Sequence, residues 1–157
     1  MILEKPQGIV IVFEGLDGSG KSTQAKLLAE EWRCYYLSTS KLSYTPKGIE
    51  QRRIAYTKNN KQASIVMQKK STDMPVIVDR YIASTTASFQ AYFSTYPIIQ
   101  RGWRSYYPTG FTIPSIVVNI ELDEEERLNR LLNRGEDGDT FEQRLAIDEE
   151  YRTCVKA

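Results

Sequence analysis

The 157 residues carry 21 Lys and Arg against 20 Asp and Glu, a formal net charge of +1, and 41% of them are hydrophobic. That balance suits one globular domain with a buried core and argues against nucleic acid as a main partner. With no histidine in the chain, Ser–His and Cys–His nucleophile pairs and His-ligated metals are excluded.

In chain order, "GIVIVFEG" is a β-branched and aromatic run that predicts a buried strand. "KSTQAKLLAEEWR" has Ala25, Leu27, Leu28 and Trp32 at helical spacing, which predicts a helix from Lys21 to Arg33. "CYYLS" is a short second strand. Residues 39–60 are polar and mixed, with helix expected around Ile49–Tyr56 and again over Gln62–Lys70. "MPVIVDRY" is a strand closed by Asp79 and Arg80, and "IASTTASFQAYF" a helix from about Ala83. The prolines and glycines of residues 96–114 predict loop. "SIVVNIEL" is another buried strand. "DEEERLNRLLNR" is an amphipathic helix capped by Asp123, with Leu128, Leu131 and Leu132 inward, ending at Gly135. "GEDGDT" is a loop, and a final helix follows it. Apolar strands alternating with helices predict an α/β fold, a parallel sheet covered by helices on both faces.

Cys34 and Cys154 are far apart and form no CxxC pair, which fits reduced thiols rather than a disulfide framework or a zinc site. No apolar run approaches the roughly 18 residues that span a bilayer, so no membrane partner is expected. "MILEKPQGIV" lacks a signal-peptide layout. The chain reads as cytoplasmic, or mitochondrial if a presequence has been removed.

Between the first strand and first helix stands "EGLDGSGKST". Gly15, four residues, then Gly20, Lys21 and Ser22 form a phosphate-binding P-loop in its required context. Gly18 and Ser19 lie within it. Bare glycines let backbone N–H groups converge on phosphate oxygens, and the helix N-terminus adds partial positive charge. In such a loop Lys21 reaches the β- and γ-phosphates of a nucleoside triphosphate, Ser22 binds Mg²⁺, and Thr23 is a further donor.

Asp79 ends a sheet strand where a P-loop protein needs a carboxylate for Mg²⁺ or its water; otherwise it caps a turn. Arg80 beside it can serve an anion in the same crevice, or is a surface arginine. Arg127, Arg130 and Arg134 share roughly one helix face. They suit a lid closing over a transferred phosphoryl group, or a solvated face paired with Glu124, Glu125 and Glu126.

Together these segments resemble the thymidylate kinase family of P-loop nucleoside monophosphate kinases. Its E-G-x-D-G-x-G-K-S/T loop stands here as Glu14 to Ser22, its D-R-Y strand end and serine-rich helix as "VIVDRYIASTTAS", and its L-x-R-x-x-x-R-G as Leu128, Arg130, Arg134 and Gly135. The resemblance implies a three-layer P-loop NTPase fold in one domain, residues 1–157, with a lid at about 134–142 and without the family's last strand and helix. It implies transfer of the γ-phosphoryl of Mg-ATP to a pyrimidine nucleoside 5′-monophosphate, dTMP or one of UMP/CMP type, and suggests a homodimer. Lys21, Asp79, Arg80 and Arg134 would then be catalytic. Gly15, Asp17, Gly18, Ser19, Gly20, Lys21, Ser22, Thr23 and Arg130 would hold ATP phosphates. Asp17, Arg80, Ser84 and Phe89 would meet the acceptor, and Ser22 and Asp79 the Mg²⁺. The family's "REPGG" segment is replaced by "STSKLSYTPKGIEQRR", the lid's D-R-x-E reads Asp139-Thr140-Phe141-Glu142, and "ASFQ" stands for A-Y-Q. These departures leave the base open, and with it two alternatives: a non-catalytic nucleotide-binding module, or a P-loop kinase for another small molecule.

Overall fold

The computed structural model describes residues 7–39, 42, 44, 46–94 and 110–134. The loop over 96–109, the lid beyond Arg134 and the last helix expected from the sequence lie outside them. Among the described residues, β1 (Val10–Glu14), β2 (Tyr35–Ser38), β3 (Val76–Asp79) and β4 (Ile116–Asn119) form one sheet in the order β2-β3-β1-β4. Every pairing is parallel, with Phe13 opposite Asp79 and Leu37 opposite Val78.

Side chains alternate across a strand, and this alternation makes the two cores. Val10, Val12, Val76 and Val78 pack with Ala63, Met67 and Ile82 on one face. Ile11, Phe13 and Ile77 pack with Ala25 and Ala29 on the other. Ala63 and Met67 belong to α2 (Ile49–Ser71) and Ile82 to α3 (Ile82–Ser94), whereas Ala25 and Ala29 belong to α1 (Lys21–Glu31). The result is the three-layer α/β arrangement expected. The α1 helix stops at Glu31 because Arg33 takes a left-handed φ of 52°, a conformation that cannot continue a right-handed helix.

Three expectations change. The two short helices expected within 49–70 are one helix of 23 residues. No Gly or Pro interrupts Ile49–Ser71, and its polar middle is docked: Asn59 Nδ2 donates to the Thr39 carbonyl (2.9 Å) and Asn60 Nδ2 to Thr85 Oγ1 (3.0 Å). Among the described residues, β4 is a sheet edge rather than a buried strand, with Ile116 50% and Val117 52% exposed. The third change is on α4 (Glu124–Arg134). Asp123 caps it as expected, its Oδ1 accepting from the Glu125 and Glu126 amides at 3.0 and 3.3 Å. Yet Leu132 is 80% exposed, while Arg127 is buried.

Met67 is fully buried between α2 and the sheet. Met67→Ala leaves a cavity there and is expected to cost about 2–5 kcal/mol, read as a lowered urea unfolding midpoint with an unchanged slope.

Candidate functional site

The loop joining β1 to α1 needs glycine for two reasons. Gly18 and Gly20 hold φ of 86° and 93°, a region that side chains with a Cβ rarely adopt. Gly15 faces a steric limit, since a Cβ there would come within 2.4 Å of the Ile120 carbonyl oxygen. Ser19 is buried, its amide bonds the Leu16 carbonyl (3.2 Å), and its hydroxyl has no hydrogen-bond partner. Gly20 caps α1 without any side-chain bond, so the first-turn N–H groups face the loop. Ser22 is half-buried there, and Thr23 is exposed.

Lys21 is buried, and its Nζ bonds Asp17 Oδ1 (3.0 Å) and the Leu16 carbonyl (3.3 Å). Burial pushes its ammonium below the ordinary lysine range. The Arg80 charge adds to this, and Asp17 and Asp79 oppose it. Arg80 crosses from β3 to bond the same Asp17 Oδ1. Burial works to lower the Arg80 guanidinium, but Asp17, Glu14 and Asp79 together leave it raised. Two cations, one from the start of α1 and one from the end of β3, therefore converge on one loop carboxylate.

The Asp79–Arg80 turn is held from both neighbouring strands. From β1, the Phe13 carbonyl accepts the Arg80 amide (2.9 Å). From β2 and the residue after it, Tyr36 Oη donates to Asp79 Oδ2 (3.1 Å), the Thr39 amide bonds the Asp79 carbonyl (3.1 Å), and Thr39 Oγ1 bonds the Arg80 carbonyl (2.8 Å). Asp79 Oδ1 is buried without a hydrogen-bond partner. A buried carboxylate oxygen that nothing satisfies suits a cation, and with the Ser22 hydroxyl it offers the hard oxygen donors that Mg²⁺ takes. The donor set fits Mg²⁺ held by one or two protein oxygens and substrate phosphates. No group of three or more acidic or thiol ligands occurs among the described residues.

Of the acceptor-side candidates, the Ser84 hydroxyl donates to Glu14 Oε2. Phe89 is buried and meets Tyr56 edge-on, with ring centroids 6.5 Å apart. Arg130 is exposed and pairs with Glu126 (2.8 Å), as the solvated-face alternative expects. Its Nη1 nevertheless lies 3.6 Å from where a Cβ on Gly20 would be, beside the loop. The Arg134 side chain lies outside the described atoms.

Sequence reasoning missed the role of Arg127. It is 1% exposed, its Nη1 donates to the Asp17 carbonyl (2.8 Å), and Glu124 holds its other edge at 2.7 and 2.9 Å. It braces the loop's backbone from α4 rather than facing a lid. It directly follows the run Glu124–Glu126, but nothing in that spacing directs it inward.

A parallel sheet with this loop after β1 and an Asp-Arg turn ending the adjacent strand defines a P-loop nucleotide-binding protein. A family model described as an AAA domain matches residues 15–147. A thymidylate kinase from Desulfotalea psychrophila is 31% identical over 86% of this chain and 74% of its own. A probable thymidylate kinase from Methanococcus vannielii is 31% identical over 77% of this chain, and the match spans 64% of that relative's length. Among solved structures, thymidylate kinase from Candida albicans superposes with a TM-score of 0.66 over 95% of this chain and 76% of its own, at 22% identity. Deoxyadenosine kinase from M. mycoides does so at 0.59 over 94% and 80%, at 17% identity. Both share the fold. Within the P-loop proteins, the chain belongs to the thymidylate kinase family.

The Tyr36 phenol is pushed up to about 12 by burial and by the Asp79 charge and hydrogen bond. A folded-state value above the ordinary 10 means the bond stabilises fully below pH 10 and is lost as pH rises toward 12. The stability difference between wild type and Tyr36→Phe should therefore be constant up to pH 10 and vanish across that window, measured by thermal unfolding at each pH.

Proposed function

We propose that the chain transfers the γ-phosphoryl group of ATP to the 5′-phosphate of a pyrimidine nucleoside monophosphate, with dTMP the first acceptor expected. One observation carries this reading: Lys21 from the P-loop and Arg80 from the end of β3 meet at Asp17. A triphosphate cradled by the loop and a second phosphate beside Arg80 would then approach across the crevice between β1 and β3. The names of the relatives support the acceptor.

The chemistry needs positioning and charge neutralisation more than proton transfer. An oxygen of the acceptor phosphate attacks the γ-phosphorus. The bond to the β–γ bridging oxygen breaks, and ADP leaves with that oxygen. The backbone N–H groups from Gly15 to Ser22 bind and orient the triphosphate. Lys21 and Arg80 neutralise charge on the oxygens in transit, with Arg130 and Arg134 joining from α4. Asp17 orients the acceptor's sugar or phosphate, and Phe89 walls its pocket from α3. Asp79 and Ser22 would hold Mg²⁺, which supplies further charge neutralisation between the phosphates.

The test is ADP release with Mg-ATP against dTMP, dUMP, UMP, dCMP, CMP and AMP, with thymidine as a non-phosphorylated control. Turnover should be highest with dTMP and fall at least about 100-fold in Lys21→Ala, the scale of losing one transition-state charge contact. Turnover with thymidine alone would replace this reading with a nucleoside kinase. ATP binding without any turnover would replace it with a nucleotide-binding module.

A further inference from the structure

Glu14 takes no part in the chemistry above, yet it is buried at the C-terminal end of β1. Its carboxylate points across the sheet rather than into the P-loop. Oε1 accepts the Tyr81 amide at 3.1 Å and the Ser84 amide at 3.3 Å, and Oε2 accepts the Ser84 hydroxyl. These donors belong to the first turn of α3 and the residue just before it. A carboxylate from a strand nearly 70 positions earlier in sequence thus does what a local capping side chain does elsewhere.

The residue under this cap is Arg80. It holds φ 65°, a left-handed backbone that costs free energy in a residue with a Cβ and persists only where its surroundings impose it. The surroundings are specific. The Phe13 carbonyl accepts the Arg80 amide on one side, Glu14 accepts the Tyr81 amide on the next, and Thr39, just after β2, holds the Arg80 carbonyl. The turn that results sends the Arg80 guanidinium to Asp17.

We infer that Glu14 is a positioning residue: it clamps the first turn of α3 to β1 and so fixes the strained Arg80 turn from which the guanidinium reaches the phosphate-transfer site. Burial pushes the Glu14 carboxyl above the usual carboxylate range, against the Ser84 bond and the Arg80 charge that favour its ionised form. A buried acid kept at that cost, with three donors from one short segment converging on it, is the pattern of a group retained for geometry.

The kinetic part of this inference rests on the phosphotransferase reading; the clamp itself does not, and the test separates the two. Glu14→Met keeps length and volume and removes both acceptor oxygens, and Glu14→Gln keeps an acceptor for the amides. Backbone hydrogen exchange is followed at Tyr81 and Ser84, with thermal unfolding and steady-state kinetics alongside. In Glu14→Met, exchange at those two amides should quicken at least about 10-fold, the scale of a lost charged hydrogen bond. Its unfolding temperature should fall, because the Tyr81 and Ser84 donors lose their acceptor. Its kcat should drop by about 100-fold, and its KM for ATP should stay within about 3-fold, because the P-loop is untouched. Glu14→Gln should retain exchange protection and most of kcat. Unchanged exchange in Glu14→Met would overturn the clamp, as would Glu14→Gln losing as much protection as Glu14→Met. If wild type transfers no phosphoryl group to any acceptor, the functional reading fails while the exchange comparison still decides the clamp.

Discussion

The register between β1 and β3 is the constraint on which the site depends. Phe13 stands opposite Asp79, so the P-loop leaves one strand where the Asp-Arg turn leaves its neighbour. Side chains alternate by residue along a strand, and a slip of one position would send each to the opposite face. Here that slip would take Val76 and Val78 away from α2 and turn Asp79 away from Tyr36. The apolar cores on the two faces oppose it, because Val10, Val12, Val76 and Val78 fill one and Ile11, Phe13 and Ile77 the other. Hydrophobic packing that contains no functional group thus sets the separation at which Lys21 and Arg80 meet Asp17.

That arrangement concentrates charge where water is scarce. Glu14, Lys21, Asp79 and Arg127 are all buried. Burial moves the Glu14 carboxyl up and the Lys21 ammonium down, each toward its neutral form. The cost of removing ions from water is offset only where geometry and extra hydrogen bonds are good. Asp17 accepts from Lys21 and Arg80, and its carbonyl accepts from Arg127. One loop residue is therefore the meeting point of three cationic side chains from α1, the end of β3 and α4. Such a node limits how far the loop can move, which suits a site whose chemistry is mostly placement.

The legible part of this architecture was the part that makes demands on the backbone. Gly15, Gly18 and Gly20 are needed because of left-handed or crowded backbone, and no other residue type meets those demands cheaply. The spacing to Lys21 and Ser22 follows, so the loop, β1 and α1 were readable together. Asp79 and Arg80 were readable because an apolar strand ended on them. The single helix α2 was obscured, because its middle is polar and satisfied by partners distant in sequence, Thr39 and Thr85. Arg127 was obscured for a related reason. The leucines on α4 promised an apolar inward face, and nothing local says that an arginine would go inside to a carbonyl 110 positions away.

The same distinction separates the two substrate sides. The triphosphate side is a backbone device, and its residues are nearly prescribed by its shape. The side on which the proposal puts the acceptor is framed by pairs of side chains between elements. Asn59 bonds the end of β2, Asn60 bonds Thr85, Thr85 bonds the Tyr81 carbonyl (3.3 Å), and Tyr56 meets Phe89. Many complementary pairs could fill those positions and leave the frame standing. The stretch standing in place of the family's "REPGG" illustrates this, since it starts at the end of β2 and its second residue, Thr39, bonds the Arg80 carbonyl beside the Tyr36 bond to Asp79. A site built this way is legible in sequence on its phosphate-loop side and less so on the other, because the first is set by what the backbone permits and the second by which side chains match.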